Sequence, residues 1–231
     1  MQARSTVYCR FGKRLFDIIA SLSALIVLSP VLCVVGLLVR IFLGAPVIFR
    51  QTRGGRNQTP FTIFKFRSML PANDPSGNLR SESARITSLG RILRATSLDE
   101  LPGLFNVLRG DMSLVGPRPL LTRYGPWYAA DELSRFDVLP GITGWAQING
   151  RNALGWDDRF QYDVYYAQHV CLSLDLKILF LTVGKVLRRD DVHVDSTLIV
   201  PALDDERRQK WGSLAVRPQV AAEGKIDLLA K

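Results

Sequence analysis

The chain has 231 residues, with 30 Lys and Arg against 21 Asp and Glu, a net charge of +9. Ten of the basic residues and one acid, Asp17, fall in residues 1–70, leaving 20 of each sign elsewhere, so the whole excess surrounds one apolar run. That placement argues against nucleic acid as a partner, which would call for a basic face on the folded domain. Three cysteines without metal spacing and only two histidines leave no zinc site and no conventional Ser-His triad.

The apolar run covers residues 15–43 and carries no charge from 18 to 39. As a straight helix the uncharged part would reach roughly 33 Å, enough to cross a bilayer core. Ser29-Pro30 interrupts it near the middle. Pro30 has no N–H and its ring crowds the carbonyl of Ile26, so a bend is expected; the Ser29 hydroxyl can satisfy backbone groups that the bend frees. Arg4, Arg10, Lys13 and Arg14 precede the run; Arg40, Arg50, Arg53, Arg56, Lys65 and Arg67 follow it. Basic flanks prefer the cytoplasmic side. A helix that enters the inner leaflet, breaks at Ser29-Pro30 and returns keeps both flanks there, and attraction to anionic lipid adds about 1 kcal/mol per basic residue near the surface. A kinked spanning helix and a buried core helix are the alternatives. The run is too long for a cleaved signal peptide. Cys33, inside it, reads as a packing residue.

Residues 46–52 are apolar and β-branched, Gly54-Gly55-Arg56-Asn57 is a turn signal, and residues 61–69 mix aromatic and polar positions. Together they predict a β-hairpin. A period of two puts Lys65 and Arg67 on one face and Phe64 and Phe66 on the other; Lys65 is then either on a solvated strand face or in a site. Residues 71–85 are loop-like. An amphipathic helix begins at 89–93 and carries Arg91 and Arg94. A second helix, 104–109, stops at Gly110. Helical stretches are expected around 123–136 and 156–166, with a Gly-punctuated loop from Pro140 to Arg151 between them. An apolar helix, 174–187, ends in Arg188-Arg189, cations suited to its C-terminus. Beyond residue 203 at most one tail helix is expected.

Two local features can carry chemistry. Ser97-x-x-Glu100 is a capping-box pattern and can simply start a helix, with Asp99 favouring its dipole. Pro102 conflicts with that start, so the helix can instead begin later and leave Asp99 and Glu100 on an entry turn. Carboxylates at a helix N-terminus are expected to stay ionised with a lowered pKa. An ionised carboxylate can attack phosphorus and form an acyl phosphate, and a neighbouring acid can hold Mg²⁺ against substrate phosphates. Arg118 stands between Pro117 and Pro119, which stiffen its backbone and present a guanidinium suited to phosphate; a salt bridge to Asp111 is the structural alternative. Arg94 and Arg151, taken alone, read as surface residues. Asp163 reads as an orienting partner for one of the arginines.

These residues together carry a family resemblance. The segments are Lys65-Phe66-Arg67-Ser68-Met69, Ser97-Leu98-Asp99-Glu100-Leu101-Pro102, Asp111-Met112-Ser113-Leu114-Val115-Gly116-Pro117-Arg118-Pro119, and Pro140-Gly141-Ile142-Thr143-Gly144-Trp145 with Gly150-Arg151. In this order they resemble the monotopic phosphoglycosyl transferases of the bacterial sugar transferase family, over residues 13–189. The Ser29-Pro30 break matches as well.

The resemblance implies transfer of a phosphosugar from a UDP-sugar donor to a polyprenyl (undecaprenyl) phosphate acceptor, with release of UMP. Asp99 matches the nucleophile and Glu100 its Mg²⁺-associated partner. Lys65, Arg94 and Arg118 match basic residues around the phosphates, and Arg151 lies in the family's Gly-rich loop. Gly103 stands where many relatives have Gln. The small form is the one matched, and within it the bacillosamine-phosphate transferase type, which implies an N-acetylated hexose, a dideoxy-diamino one among the options.

The expected fold class is α+β, mostly helical. It comprises a re-entrant membrane helix (1–45), a small β-hairpin leading a compact cytoplasmic catalytic domain (46–200), and a C-terminal tail (201–231). The expected location is the cytoplasmic face of the bacterial inner membrane, on inner-leaflet lipid, with a homodimer left open. A membrane-anchored basic scaffold and a UDP-sugar hydrolase without a lipid acceptor are the competing readings.

Overall fold

Pro30 decides the shape of the N-terminal segment. In the computed structural model, which describes residues 8–73, 76–150, 154–188 and 201–212, helices α1 (Lys13–Val27) and α2 (Ser29–Phe42) meet at Leu28 with a bend of 64°. Pro30 lies in the first turn of α2, where its missing N–H has no intrahelical partner to lose. The Ser29 hydroxyl donates to the Ile26 carbonyl at 2.8 Å, as its place beside the bend foretold. The 15 residues of α1 rise about 22 Å, short of the ~30 Å hydrocarbon core. No single described helix is long and apolar enough to cross a membrane, but the bent pair has the length and composition of a broken span or a re-entrant hairpin. Leu15, Ile19, Leu22 and Ile26 on α1, and Val34, Leu37 and Ile41 on α2, are exposed. Cys33 is exposed too, rather than packed, because α2 buries the side that carries Val35 and Val39.

The foot of this hairpin is keyed into the domain by buried polar groups. Lys13 Nζ lies 2.7 Å from Asp175 Oδ2. Tyr166 donates its hydroxyl to Asp175 Oδ1 at 2.7 Å. Asp17 accepts from the Leu114 amide at 3.1 Å. Arg14 donates to the Val107 and Leu108 carbonyls at 2.5 and 2.7 Å, in the last turn of a helix, where carbonyls lack a full set of intrahelical partners.

Strands β1 (Ile48–Gly54) and β2 (Pro60–Phe66) form the expected antiparallel hairpin, with Phe49 opposite Lys65 and Arg53 opposite Phe61. The short helix α3 (Glu82–Arg85) interrupts the expected loop, and α4 (Ser88–Ala95) follows, capped by Thr87, whose Oγ1 accepts from the Gly90 amide at 3.0 Å. Helix α5 (Gly103–Arg109) ends at Gly110, whose φ of +92° suits a residue without a Cβ. Asn106 fastens α5 to β2: its Oδ1 accepts from the Phe64 amide at 3.0 Å and its Nδ2 donates to the Thr62 carbonyl at 2.7 Å. It is fully buried, so both backbone groups would otherwise lack partners.

A second sheet was not anticipated. β3 (Ser113–Val115) and β4 (Gly141–Thr143) pair in parallel, Ser113 opposite Gly141 and Val115 opposite Thr143. Strands of three residues carry no readable period. Their glycines mark close approach rather than a loop: a Cβ on Gly141 would lie 2.1 Å from the Gly116 nitrogen. Residues 123–136 also differ from expectation. They form two 3-10 segments, Thr122–Trp127 and Asp131–Asp137, instead of a longer helix, because Pro126 interrupts the first and Glu132 Oε2 caps the Ala129 amide at 2.7 Å ahead of the second.

Helices α6 (Trp145–Ile148), α7 (Trp156–Gln168) and α8 (Leu172–Arg188) follow. The main aromatic core joins Leu120, Tyr124, Tyr128, Phe136, Trp156 and Phe160. Helix α9 (Leu203–Trp211) completes it: Leu203 is fully buried in the same cluster and Trp156 Nε1 donates to the Pro201 carbonyl at 2.9 Å. The α+β, mainly helical class agrees with the sequence reading.

Candidate active site

The turn between α4 and α5 holds the two carboxylates. Ser97 does not cap a helix: it adopts φ +54° and its side chain makes no capping bond. Its carbonyl instead accepts from the Glu100 amide at 3.1 Å, closing a 3-10 turn over Leu98–Glu100. The capping-box reading is therefore corrected. Pro102 delays the helix to Gly103 and leaves Asp99 and Glu100 on the entry turn.

Glu100 is gripped from two sides. Lys65 Nζ lies 2.6 Å from its Oε1 and Arg118 donates to the same oxygen at 3.1 Å. Lys65 thus turns onto the carboxylate turn and is not part of a solvated face. Arg118 pairs with Glu100 and not with Asp111, which pairs with Arg109 at 3.4 Å. Burial alone would push the Glu100 carboxyl up, but the charges of Arg118 and Lys65 and their hydrogen bonds overcome it and hold the group at about 2. Burial lowers the Lys65 ammonium, helped by the Arg118 charge and opposed by Glu100.

Asp99 goes the other way. Only 8% exposed, it is pushed up to about 6 by burial and then by the neighbouring Glu100 charge, against the pull of Lys65, Arg94 and Arg118. The expectation of a lowered pKa for both carboxylates fails at Asp99. The 3-10 turn gives it no helix N-terminus, and two of the three cations next to it, Lys65 and Arg118, are already committed to Glu100. Two adjacent acids held apart in this way are suited to different tasks.

Arg94 approaches from α4. A Cβ on Gly90 would lie 1.9 Å from the Ser68 carbonyl oxygen, so the helix rests directly on the chain that leaves β2 at that point. Arg94, one turn further on the same face, donates from Nε to Ser68 Oγ at 3.2 Å. Arg118 is positioned from behind: Arg135 donates to its carbonyl at 2.8 Å while bonding Asp163 Oδ2 at 2.8 and 3.2 Å. Asp163 is the orienting partner that the sequence suggested, and its arginine is Arg135.

These groups line one cleft of about 1470 Å³. Lys65, Arg94, Asp99, Glu100 and Arg118 lie together on it; Arg151 falls outside the described residues. Leu28, at the bend next to Ser29 and Pro30, is among its lining residues, and Leu101, Leu104, Val183 and Val186 give it an apolar part. Arg53 was missed. It lines the cleft beside Lys65 and Glu100, donates to Gln51 Oε1 at 2.6 Å, and keeps a buried Nε without a partner among the described residues. The signal was available: Phe49, Gln51 and Arg53 alternate along β1 on the face that the hairpin register shares with Lys65.

A family profile described as bacterial sugar transferase matches residues 8–189. The chain belongs to the bacterial sugar transferase family. A relative from Bacillus subtilis (strain 168), an uncharacterized sugar transferase, is 51% identical over 175 residues, covering 76% of this chain and 87% of its own length. The undecaprenyl-phosphate galactose phosphotransferase of Salmonella typhimurium is 42% identical over 201 residues, covering 80% of this chain. The UDP-glucose:undecaprenyl-phosphate glucose-1-phosphate transferase of Caulobacter vibrioides is 39% identical over 192 residues, covering 78% of this chain and 72% of its own. The chain spans less than half of the Salmonella relative, 42% of its length. The sugar transferase match covers every carboxylate and cation of the cleft described above and stops before α9.

Proposed function

We propose that the protein moves a sugar phosphate from a UDP-sugar to polyprenyl phosphate through a covalent intermediate on Asp99. The observation that carries this is the split carboxylate pair within a ring of cations. Glu100 is locked as an anion by Lys65 and Arg118, while the adjacent Asp99 makes no hydrogen bond or ion pair among the described residues. The names of the Salmonella and Caulobacter relatives describe transfer of galactose and glucose phosphates involving undecaprenyl phosphate, so galactose or glucose is the donor sugar this reading favours over an N-acetylated hexose.

In the first step an Asp99 oxygen attacks the β-phosphorus of the donor. The bond from that phosphorus to the bridging oxygen breaks, and UMP leaves with the oxygen and its electron pair. In the second step an oxygen of the acceptor phosphate attacks the same phosphorus, and the Asp99 carboxylate is released. Lys65, Arg94 and Arg118 offset the phosphate charge, which is most of what catalysis requires when phosphorus changes partners. Splitting one transfer into two displacements lets a single site serve a soluble donor and a lipid acceptor in turn.

The carboxylates also fit a magnesium ion, but only as part of its ligand set. Mg²⁺ is held through one or two carboxylates plus substrate phosphates and water. Glu100 is ionised at neutral pH, and the bonds that Lys65 and Arg118 make to it both use Oε1. Among the described residues no group of three acids, histidines or cysteines could enclose a metal alone. Bound there, the ion would draw charge off the donor phosphates. Glu100→Gln should flatten the dependence of rate on magnesium concentration; an unchanged titration removes Glu100 from that role.

The membrane seat belongs to the same reading. The bent pair α1–α2 is exposed along its apolar faces, and Leu28 at the bend lines the cleft. A re-entrant seat in the inner leaflet brings an acceptor phosphate to the cleft and keeps both basic flanks cytoplasmic. Cysteines placed before Lys13 and after Arg56 should resist a membrane-impermeant label in intact cells; labelling of either from outside ends the re-entrant seat.

The pH profile has a defined sign. Asp99 must be ionised to attack, and its carboxyl sits at about 6. kcat/KM for the donor should therefore fall tenfold per unit as pH drops below about 6, since this constant reports the free enzyme. A flat profile from pH 7 to 5 contradicts an Asp99 nucleophile. The deciding experiment for the function is UMP release from UDP-glucose and UDP-galactose with and without polyprenyl phosphate. Release that needs the acceptor supports transfer; release without it makes the protein a hydrolase, and no release with any UDP-sugar leaves a scaffold.

A further inference from the structure

We propose that α9 is a clasp that sets the position of Arg118 from behind the cleft, with Arg207 as its positioning residue; this rests on Arg118 acting as a ligand of the donor phosphates. Helix α9 lies beyond the residues that the family profile matches, and none of its residues lines the cleft. Its grip on the domain is nevertheless deep. Arg207, 2% exposed, bonds Glu132 Oε1 at 2.6 Å and Asp157 Oδ1 at 2.5 Å.

Those two partners belong to the two elements that hold Arg118. Glu132 is on the 3-10 segment Asp131–Asp137, which also carries Arg135. Asp157 is on α7, which also carries Asp163. Arg207 therefore ties together at one end the same pair of elements that Arg135 and Asp163 tie together at the other. Both arginines also lie over the Phe160 ring, Arg207 at 5.9 Å and Arg135 at 5.3 Å from its centre. Arg135 then passes the constraint on through its 2.8 Å bond to the Arg118 carbonyl.

A second hold acts on the chain just after Arg118. Leu203 packs in one cluster with Leu120 and Tyr124, and Asp204 pairs with Arg123 at 3.3 Å. Trp211 closes the far end of the helix on Trp127, with ring centres 6.5 Å apart. Arg118 is thus fixed on its carbonyl side by Arg135 and on its C-terminal side by α9 itself. Its guanidinium must meet Glu100 and a donor phosphate at hydrogen-bond range, and displacements of an ångström weaken such contacts.

The test uses the full chain in lipid nanodiscs, with steady-state kinetics for UDP-sugar and polyprenyl phosphate, UDP affinity by calorimetry, and thermal unfolding. Arg207→Met keeps the apolar stem and removes the ties. It should raise the donor KM and the UDP Kd about tenfold, the size expected for coupling through packed elements, with the acceptor KM within about twofold, and Arg207→Lys should recover part of the loss. In an Arg118→Lys background, Arg207→Met should add nothing further. A folded Arg207→Met with parental donor KM and UDP Kd overturns the clasp, as does a loss that multiplies with Arg118→Lys. If Arg207→Met does not fold, Asp157→Asn, at a half-exposed partner, carries the same comparison with an effect of about threefold; no change there overturns the proposal. If the parent binds UDP but releases no acceptor-dependent UMP, the transferase reading fails, and UDP affinity alone decides the clasp.

Discussion

Asp99→Asn should reduce acceptor-dependent UMP release by about 10⁴-fold or more, because an amide of the same shape cannot displace UMP. The same change should make the protein more stable at neutral pH. Burial and the Glu100 charge raise the Asp99 carboxyl to about 6 from an ordinary 3.8, so its ionised form destabilises the fold. A group raised in this way gives its full stability below its unfolded pKa and loses it as pH rises through the folded one. Asparagine never takes the charge. The variant should therefore gain about 1–3 kcal/mol above pH 6, and the gain should vanish as pH falls from about 6 towards 4. Urea unfolding of both proteins at pH 7.5 and pH 4 measures it. A variant that is dead and also less stable at pH 7.5 would mean that Asp99 holds the fold instead of doing chemistry.

Asp163→Ala should be the most damaging change away from the carboxylate turn. Asp163 and Arg135 are 1% and 2% exposed and bonded at 2.8 Å. Removing the acid strands a buried guanidinium, a loss of about 3–5 kcal/mol, or about 6–20 °C in Tm for a domain of this size. Loss of activity should follow the unfolding, since Arg135 also holds the Arg118 carbonyl. Differential scanning fluorimetry settles it: a Tm within about 2 °C of the parent would mean that water reaches the pair and that it is not the core tie described here.

The features legible in the sequence are those with a local cause. Pro30 dictated the bend at Leu28, and the Ser29 bond to Ile26 followed from it. Alternation placed Lys65 correctly on the hairpin. Pro102 gave notice that the helix starts at Gly103, although the Ser97 and Glu100 spacing suggested an earlier cap. What stayed hidden depends on partners far away in the chain. The lowered carboxyl of Glu100 comes from Lys65 and Arg118, which lie 35 and 18 positions away, and the raised one of Asp99 from burial that only the folded chain creates. The parallel pairing of Ser113 with Gly141 is too short to leave a pattern. Helix α9 is charged and has little apolar periodicity, so nothing local told that Arg207 would be buried between two acids or that Leu203 would enter the aromatic core.

The covalent step on Asp99 is the claim on which the mechanism stands, and it can be weighed directly. The full protein is mixed with UDP-sugar in the absence of polyprenyl phosphate, and its intact mass is recorded. The account predicts a gain of one sugar phosphate, mapped to the peptide that holds Asp99, with one UMP released per adduct, and loss of the added mass once polyprenyl phosphate is supplied. Full turnover with no adduct at any time point would contradict it, and would point to direct transfer between donor and acceptor.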